Sequence, residues 1–322
     1  MPGARLGIVG TGVIGAGWTV RALSMGLDVV ATDPAAGAEG RLREFVERAW
    51  PSVTKLGLAE GASLDRLTFV DGPDQLGEVD FVQENVPERL DLKQRVLAAI
   101  DDAVDPGVII ASSTSGLLPS DLQADCAHPD RVVVGHPFNP VYLLPLVEVV
   151  AGEATAARSV ERAVSFYDSL AMHPLVVRKE IEGFLSDRLQ EALWREILHL
   201  VKDGIATTDE LDRAITYGPG LRWAAMGTNL TFHLAGGEGG MRHMLEQFGP
   251  ALELPWTHLV APELTPELIH SMVEGCTDQA AGRTIAELER LRDDYLVDVM
   301  RALEPLGVGA GETLSRRRDL TG

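Results

Sequence analysis

The chain has 322 residues, 45% of them hydrophobic, enough for two domains with cores of their own. Lysine and arginine number 28 against 48 aspartates and glutamates, a formal net charge of −20, which disfavours nucleic acid and anionic membranes as partners. Two cysteines, Cys126 and Cys276, build neither a disulfide framework nor a metal cluster, and no apolar run reaches membrane-spanning length, so a cytoplasmic protein without a metal is expected.

Arg5 to Val9 reads as a strand running into Gly10-Thr11-Gly12-Val13-Ile14-Gly15. A helix follows to about Met25, and Asp28 to Thr32 forms a second strand with Asp33 at its tip, eighteen residues past Gly15. This is the order a dinucleotide site requires. Glycines allow the tight turn, the approach of a pyrophosphate and close helix packing, while the helix N-terminus offers N–H groups and positive dipole to the phosphates. Asp33 would accept hydrogen bonds from the adenine ribose and repel a 2′-phosphate, which selects NAD. The apolar N-terminus is therefore read as a strand and turn, not as an export signal.

Ala38 to Leu56 is helical; its Arg41, Arg43, Arg48 and Lys55 are read as a solvated face. Strands follow at Leu67 to Val70, Val79 to Glu84 and Val108 to Ser112, with a helix over Glu88 to Ile100 between the last two. Further strands at Val132 to Gly135, Leu146 to Val150 and Leu175 to Arg178, with a helix over Thr155 to Ala171, complete a mostly parallel sheet covered on both faces. Past Glu180 only helical patterns remain. Leu185, Leu189, Leu193, Ile197 and Leu200 form one stripe, Thr207 to Glu210 is a capping box, Arg283 to Leu303 is the last long helix, and Ser315 to Gly322 reads as a frayed tail. The fold class is α/β: a Rossmann-type doubly wound sheet over residues 1–180, then an all-helical domain over 181–322.

The chemistry centres on Gly135-His136-Pro137-Phe138-Asn139-Pro140 and on Glu148, twelve residues beyond the histidine. A histidine at the end of one strand and a carboxylate on its neighbour suit a general base held by an acid. Ser112-Ser113-Thr114-Ser115 ends another strand at the same edge of the sheet, where a hydroxyl could hold a substrate oxygen or cap the next turn.

Together these motifs resemble the L-3-hydroxyacyl-CoA dehydrogenase superfamily: the glycine motif, Ser112 to Ser115, His136 to Pro140, Glu148, and Gly183-Phe184-Leu185-Ser186-Asp187-Arg188-Leu189. The resemblance implies His136 as catalytic base, Glu148 as its orienting acid and Ser115 as binder of the substrate hydroxyl. It also implies Gly10, Gly12, Gly15, Asp33, Glu88, Lys93 and Asn139 at the cofactor, with Glu88 and Lys93 five apart on one helix. Asp187 departs from the family's asparagine and exchanges a donor for charge. The segments Gly218 to Ala224 and Met226 to Gly237 are similar to the small-substrate branch, which includes L-gulonate and lambda-crystallin members, and with Val141 to Pro145 and Leu254 to Trp256 they resemble its bacterial L-carnitine members more closely. That closer resemblance implies L-carnitine as small-molecule substrate and a homodimer formed through the C-terminal domain. Carnitine pairs a carboxylate with a trimethylammonium. Arg222 would clamp the former, and Phe138, Tyr142, Trp223 and Phe232 with Asp187 would cage the latter. The alternative is another L-3-hydroxy acid or a short acyl-CoA, whose phosphates would need Arg41, Arg43, Arg48 and Lys55.

Overall fold

A computed structural model describes residues 3–250, 254–257, 260 and 262–321. Strands β1 (Arg5–Val9), β2 (Asp28–Thr32), β3 (Leu67–Val70), β4 (Phe81–Glu84), β5 (Ile109–Ser112), β6 (Val132–Pro137), β7 (Leu146–Ala151) and β8 (His173–Val177) form one sheet in the order 3-2-1-4-5-6-7-8. All neighbours are parallel except β6 and β7. Every residue of β4, β5 and β6 is buried, as expected of continuously apolar strands between two helical layers. The strand order reverses between β1 and β4, so the crevice beyond their carboxyl ends is the ligand edge of the sheet.

Helices α1 (Val13–Ser24), α2 (Ala38–Leu56), α3 (Leu90–Ala103), the single turn α4 (Pro119–Leu122) and α5 (Ala157–Ser169) connect and cover the strands. Valine and isoleucine from β4 to β6 pack with Leu97 and Ile100 of α3 and with Leu122 to make the core. A buried polar clamp joins this face. The Arg131 guanidinium donates to Asp101 Oδ1 (2.6 Å) and to the carbonyls of Asp101 and Asp105. Burial alone would raise the Asp101 carboxyl, but the His128 N–H and the Arg131 cation outweigh it and hold it below the ordinary range. A carboxyl so depressed contributes stability above its unfolded pKa of about 3.9, and that stability is lost as pH falls through the folded value. Asp101→Asn is expected to cost about 2 kcal/mol in urea unfolding at neutral pH, with the gap from the parent closing as the carboxyl protonates at acid pH.

The chain divides into two compact units. The first takes in the residues up to Leu185 together with Leu296–Met300 and the segment from Glu312. The second, Ser186–Tyr295 with Arg301–Gly311, contains α6 (Ser186–Lys202), α7 (Thr208–Thr216), α8 (Pro219–Trp223), α9 (Thr228–Ala235), α10 (Gly240–Phe248) and α11 (Pro266–Ala280). Thr207 and Glu210 form the expected capping box on α7. The leucine stripe of α6 is largely open to solvent: only Leu198 of that helix is buried, and Leu189 is 76% exposed.

The C-terminal segment and the end of β6 depart from expectation. The long helix α12 (Ile285–Leu303) is followed by another, α13 (Ala310–Thr321), where a frayed tail was expected. Its polar sequence hides a docking surface. The buried Arg317 donates from Nε to the Gly57 carbonyl (2.9 Å) and from Nη2 to Ser24 Oγ (2.9 Å), at the ends of α2 and α1. Helix C-termini carry unsatisfied carbonyls and negative dipole, which is why a cation can be buried there. Arg316 adds a contact to Asp168 on α5 (2.6 Å). Second, β6 runs through His136 to Pro137, beyond the expected end at Gly135, because antiparallel pairing with β7 continues the ladder.

Candidate active site

The glycine turn meets each spatial demand of a dinucleotide site. Gly10 has φ +88°, and a Cβ there would lie 2.8 Å from the Asn85 backbone. A Cβ on Gly15 would collide with the Gly10 carbonyl, so that close approach of turn and helix requires glycine. Gly12, at the N-cap of α1, faces open space instead, and the first turn of α1 carries no acid to repel a phosphate. Asp33 accepts from the Thr11 N–H (2.8 Å) and hydroxyl (3.2 Å) through Oδ2, and from the Ala35 N–H (2.9 Å) through Oδ1. A carboxylate has about four acceptor positions, so Oδ1 can take a ribose hydroxyl as well. These residues fit NAD. Asp33→Ser is expected to weaken NADH affinity by roughly tenfold or more and to narrow its advantage over NADPH, measured by fluorescence titration of both nucleotides.

His136 and Glu148 stand directly opposite each other in the β6–β7 ladder. His136 Nδ1 lies 2.9 Å from Glu148 Oε2, and both side chains are buried. The other carboxylate oxygen, Oε1, accepts from the Leu185 N–H (3.0 Å). Phe138 packs edge-on to the imidazole at 5.2 Å between centroids, and Phe184 tilts against it at 5.5 Å. Phe184, fully buried at φ +44°, received no role from sequence although it sits in the Gly-Phe motif.

The four hydroxyls from the last residue of β5 onward, Ser112 to Ser115, are distinguished by their partners. Ser112 donates to Glu84 Oε2 (2.5 Å), Ser113 to Asn85 Oδ1 (2.7 Å) and Thr114 to Glu88 Oε1 (2.5 Å). Ser115 is exposed, and its backbone N–H is held by Glu88 Oε1 (3.0 Å). Three hydroxyls are therefore committed inward, and Ser115 is the one presented to solvent.

Other expected residues fall elsewhere. Glu88 precedes α3, so Glu88 and Lys93 do not share a helix. Lys93 is buried, with its ammonium on both oxygens of Glu84 (2.9 and 3.2 Å) and on the Val86 carbonyl (3.0 Å). Its three N–H groups are thereby spent inside the protein, which does not fit the direct cofactor contact expected of it. Tyr142 also needs correction as a cage residue. It is only 4% exposed and lies edge-on to Phe45 of α2 at 6.0 Å, because the loop after β6 turns into the core. Asn139 is exposed at the tip of that loop. Arg41 and Arg43 are engaged with the Ala36 carbonyl and Glu39. Arg222, Trp223, Phe232 and the half-buried Asp187 belong to the second unit, where the first three are exposed.

A nucleotide turn at the switch point, with a buried His–Glu pair and a presented serine on the same sheet, defines an NAD-dependent dehydrogenase acting on a 3-hydroxy group. Residues 5–181 match the NAD-binding domain of 3-hydroxyacyl-CoA dehydrogenase and residues 183–273 match its C-terminal domain, and the chain belongs to that family. It is 59% identical over 307 residues to an L-carnitine dehydrogenase of Bacillus cereus, covering 95% of this chain and 94% of the relative. An L-carnitine dehydrogenase of Pseudomonas aeruginosa is 61% identical over 296 residues, 92% of each chain. Among solved structures, 5-formyl-3-hydroxy-2-methylpyridine 4-carboxylic acid 5-dehydrogenase, an NAD+-dependent dismutase, superimposes with a TM-score of 0.78 at 29% identity, covering 94% of this chain and 99% of its own.

Proposed function

We propose that the protein oxidises the 3-hydroxyl of L-carnitine to 3-dehydrocarnitine. The observation that carries the substrate is the 59–61% identity, across more than nine-tenths of both chains, to proteins named L-carnitine dehydrogenase. When bound, NAD supplies the hydride acceptor for the carbinol carbon. His136, with its Nδ1 proton donated to Glu148, takes the hydroxyl proton at Nε2 as the C–O double bond forms. Glu148, itself fixed by the Leu185 N–H, keeps the ring in that tautomer and balances the imidazolium that results. Ser115 would hold the substrate oxygen, Glu88 holds Ser115 through its backbone N–H, and Asn139 is assigned to the nicotinamide end of the site.

For substrate recognition, Arg222 is assigned to the carboxylate as a bidentate donor. Phe138, Trp223 and Phe232 are assigned to the trimethylammonium, with Asp187 as the counter-charge. Phe138 supports this by lying against the His136 ring, so a group beside it is also beside the base. The second unit exposes Leu189, Trp194, Leu230, Ile269 and Val273, apolar surface suited to a homodimer through the helical domain, which light scattering tests directly. No described helix is long and apolar enough to cross a membrane, and two unpaired cysteines suit a reducing cytoplasm.

The decisive assay follows NADH formation with L-carnitine, D-carnitine and 3-hydroxybutyryl-CoA side by side. Turnover of L-carnitine far above the other two is the expected result. Turnover of the CoA ester with none of L-carnitine would overturn the substrate assignment.

A further inference from the structure

Gln83, at the third position of β4, is 1% exposed, and both ends of its side-chain amide are hydrogen-bonded. Nε2 donates to Ser113 Oγ (2.8 Å) and to the Gly135 carbonyl (3.0 Å), while Oε1 accepts from the Tyr167 hydroxyl (2.8 Å). Burial raises the Tyr167 hydroxyl well above its ordinary value, so it remains a donor at any working pH. That fixes which end of the amide donates and which accepts.

The partners of this amide reach three parts of the active site. Gly135 immediately precedes His136. The β5–β6 ladder ends at Ser112 opposite Val134, so the Gly135 carbonyl lies one residue past the last rung, where the Gln83 amide bonds it. Gly135 must be glycine, since a Cβ would collide with the Tyr167 hydroxyl. Ser113, two residues before Ser115, accepts also from Trp18 Nε1 (3.2 Å) and donates to Asn85 Oδ1 (2.7 Å). With two bonds accepted and one donated, its hydroxyl is saturated. Asn85 donates back to the Gln83 carbonyl (2.8 Å), and its backbone is the wall against which Gly10 is packed.

We propose that Gln83 is a positioning residue for the dehydrogenase reaction, its one amide holding the base strand at Gly135 and the hydroxyl segment at Ser113 in a fixed relation beside the nucleotide turn. This rests on the reading of His136 as base and Ser115 as the hydroxyl holder. A buried polar network that served stability alone would not care which of its bonds was cut; a positioning residue does. Tyr167→Phe removes the link to α5 and leaves both links to the site. Gln83→Met keeps the length of the side chain and removes all three.

Gln83→Met is expected to lower kcat tenfold or more, with NADH affinity within about twofold of the parent, since misplacement by about 1 Å can cost as much as a hundredfold. Tyr167→Phe is expected to lose thermal stability yet keep kcat within about twofold. Ser113→Ala, which cuts one of the two site links, should fall between them and serves if Gln83→Met does not fold. A second readout does not depend on the substrate: the His136 Nδ1 proton shared with Glu148, assigned in the NMR spectrum by its loss in His136→Ala, should shift in Gln83→Met and Ser113→Ala but not in Tyr167→Phe. Parent-like kcat and an unmoved Nδ1 proton in Gln83→Met or Ser113→Ala overturn the proposal, as does a parallel loss of kcat in Tyr167→Phe. If the parent protein turns over no L-carnitine, the substrate assignment has failed, and the NMR comparison still decides the role of Gln83.

Discussion

His136→Ala is expected to lower kcat on the order of a thousandfold while leaving NADH affinity within about twofold of the parent. The two numbers separate because the imidazole and the nucleotide turn are held by different parts of the sheet. The Gly10–Gly15 turn, the α1 N-terminus and Asp33 are the parts proposed to hold NADH, and Asp33 is tied to Thr11 and Ala35 whereas His136 is paired with Glu148 across the β6–β7 ladder. In the proposed mechanism the histidine acts at the step in which the hydroxyl proton leaves, and general-base removal typically costs between a hundredfold and ten-thousandfold. Glu148→Gln should cost less than His136→Ala, since the amide can still accept from the ring but no longer balances an imidazolium. It also turns a donor toward either the imidazole or the Leu185 N–H, where the carboxylate now accepts from both. Stopped-flow NADH formation and fluorescence titration check the split. Turnover in His136→Ala within tenfold of the parent would remove the histidine from the mechanism.

The parts of this site that were legible in the sequence are those whose chemistry is tied to chain-local spacing. The glycine turn needs its strand before it and its acid after it, and all three are set by a few consecutive residues. His136 and Glu148 were legible for a related reason: twelve residues form two short strands and a turn, so the pair had to meet across a ladder. What the spacing left open was depth. Lys93 and Tyr142 look like surface functional groups in one dimension, yet the former is turned onto Glu84 and the latter onto Phe45. Burial of a polar side chain depends on partners from distant strands, which no local period encodes. The same holds for Arg317, whose partners at Ser24 and Gly57 lie more than two hundred residues away and turn an apparently frayed tail into a docked helix. Gln83 is the extreme case, a polar residue in an apolar strand whose meaning rests entirely on Gly135, Ser113 and Tyr167.

The buried pair of Glu84 and Lys93 yields the largest expected effect on stability. Each lies almost wholly out of water, and Glu84 also accepts from Ser112 and from the Val86 N–H (2.6 Å). Replacing such a pair with apolar groups can be neutral, whereas removing one partner strands the other's charge and costs about 3–5 kcal/mol. Lys93→Met is therefore expected to destabilise the protein by about 4 kcal/mol in urea unfolding at neutral pH. The double change Lys93→Met with Glu84→Gln should recover much of that loss, because no buried charge remains. The pH dependence gives the sign. Burial already pushes the Glu84 carboxyl above its ordinary value even with the ammonium beside it. Without Lys93 it rises further, and a group whose folded pKa exceeds its unfolded one favours the folded state below the unfolded pKa, a stability lost as pH rises through the folded value. The gap between single and double variants should thus be small near pH 5 and widen toward pH 8, and a gap independent of pH would mean that Glu84 stays ionised in the folded single variant, against this assignment. Because Glu84 ends β4 and its Ser112 bond opens the segment leading to Ser115, the single variant should also lose turnover beyond what its folded fraction explains.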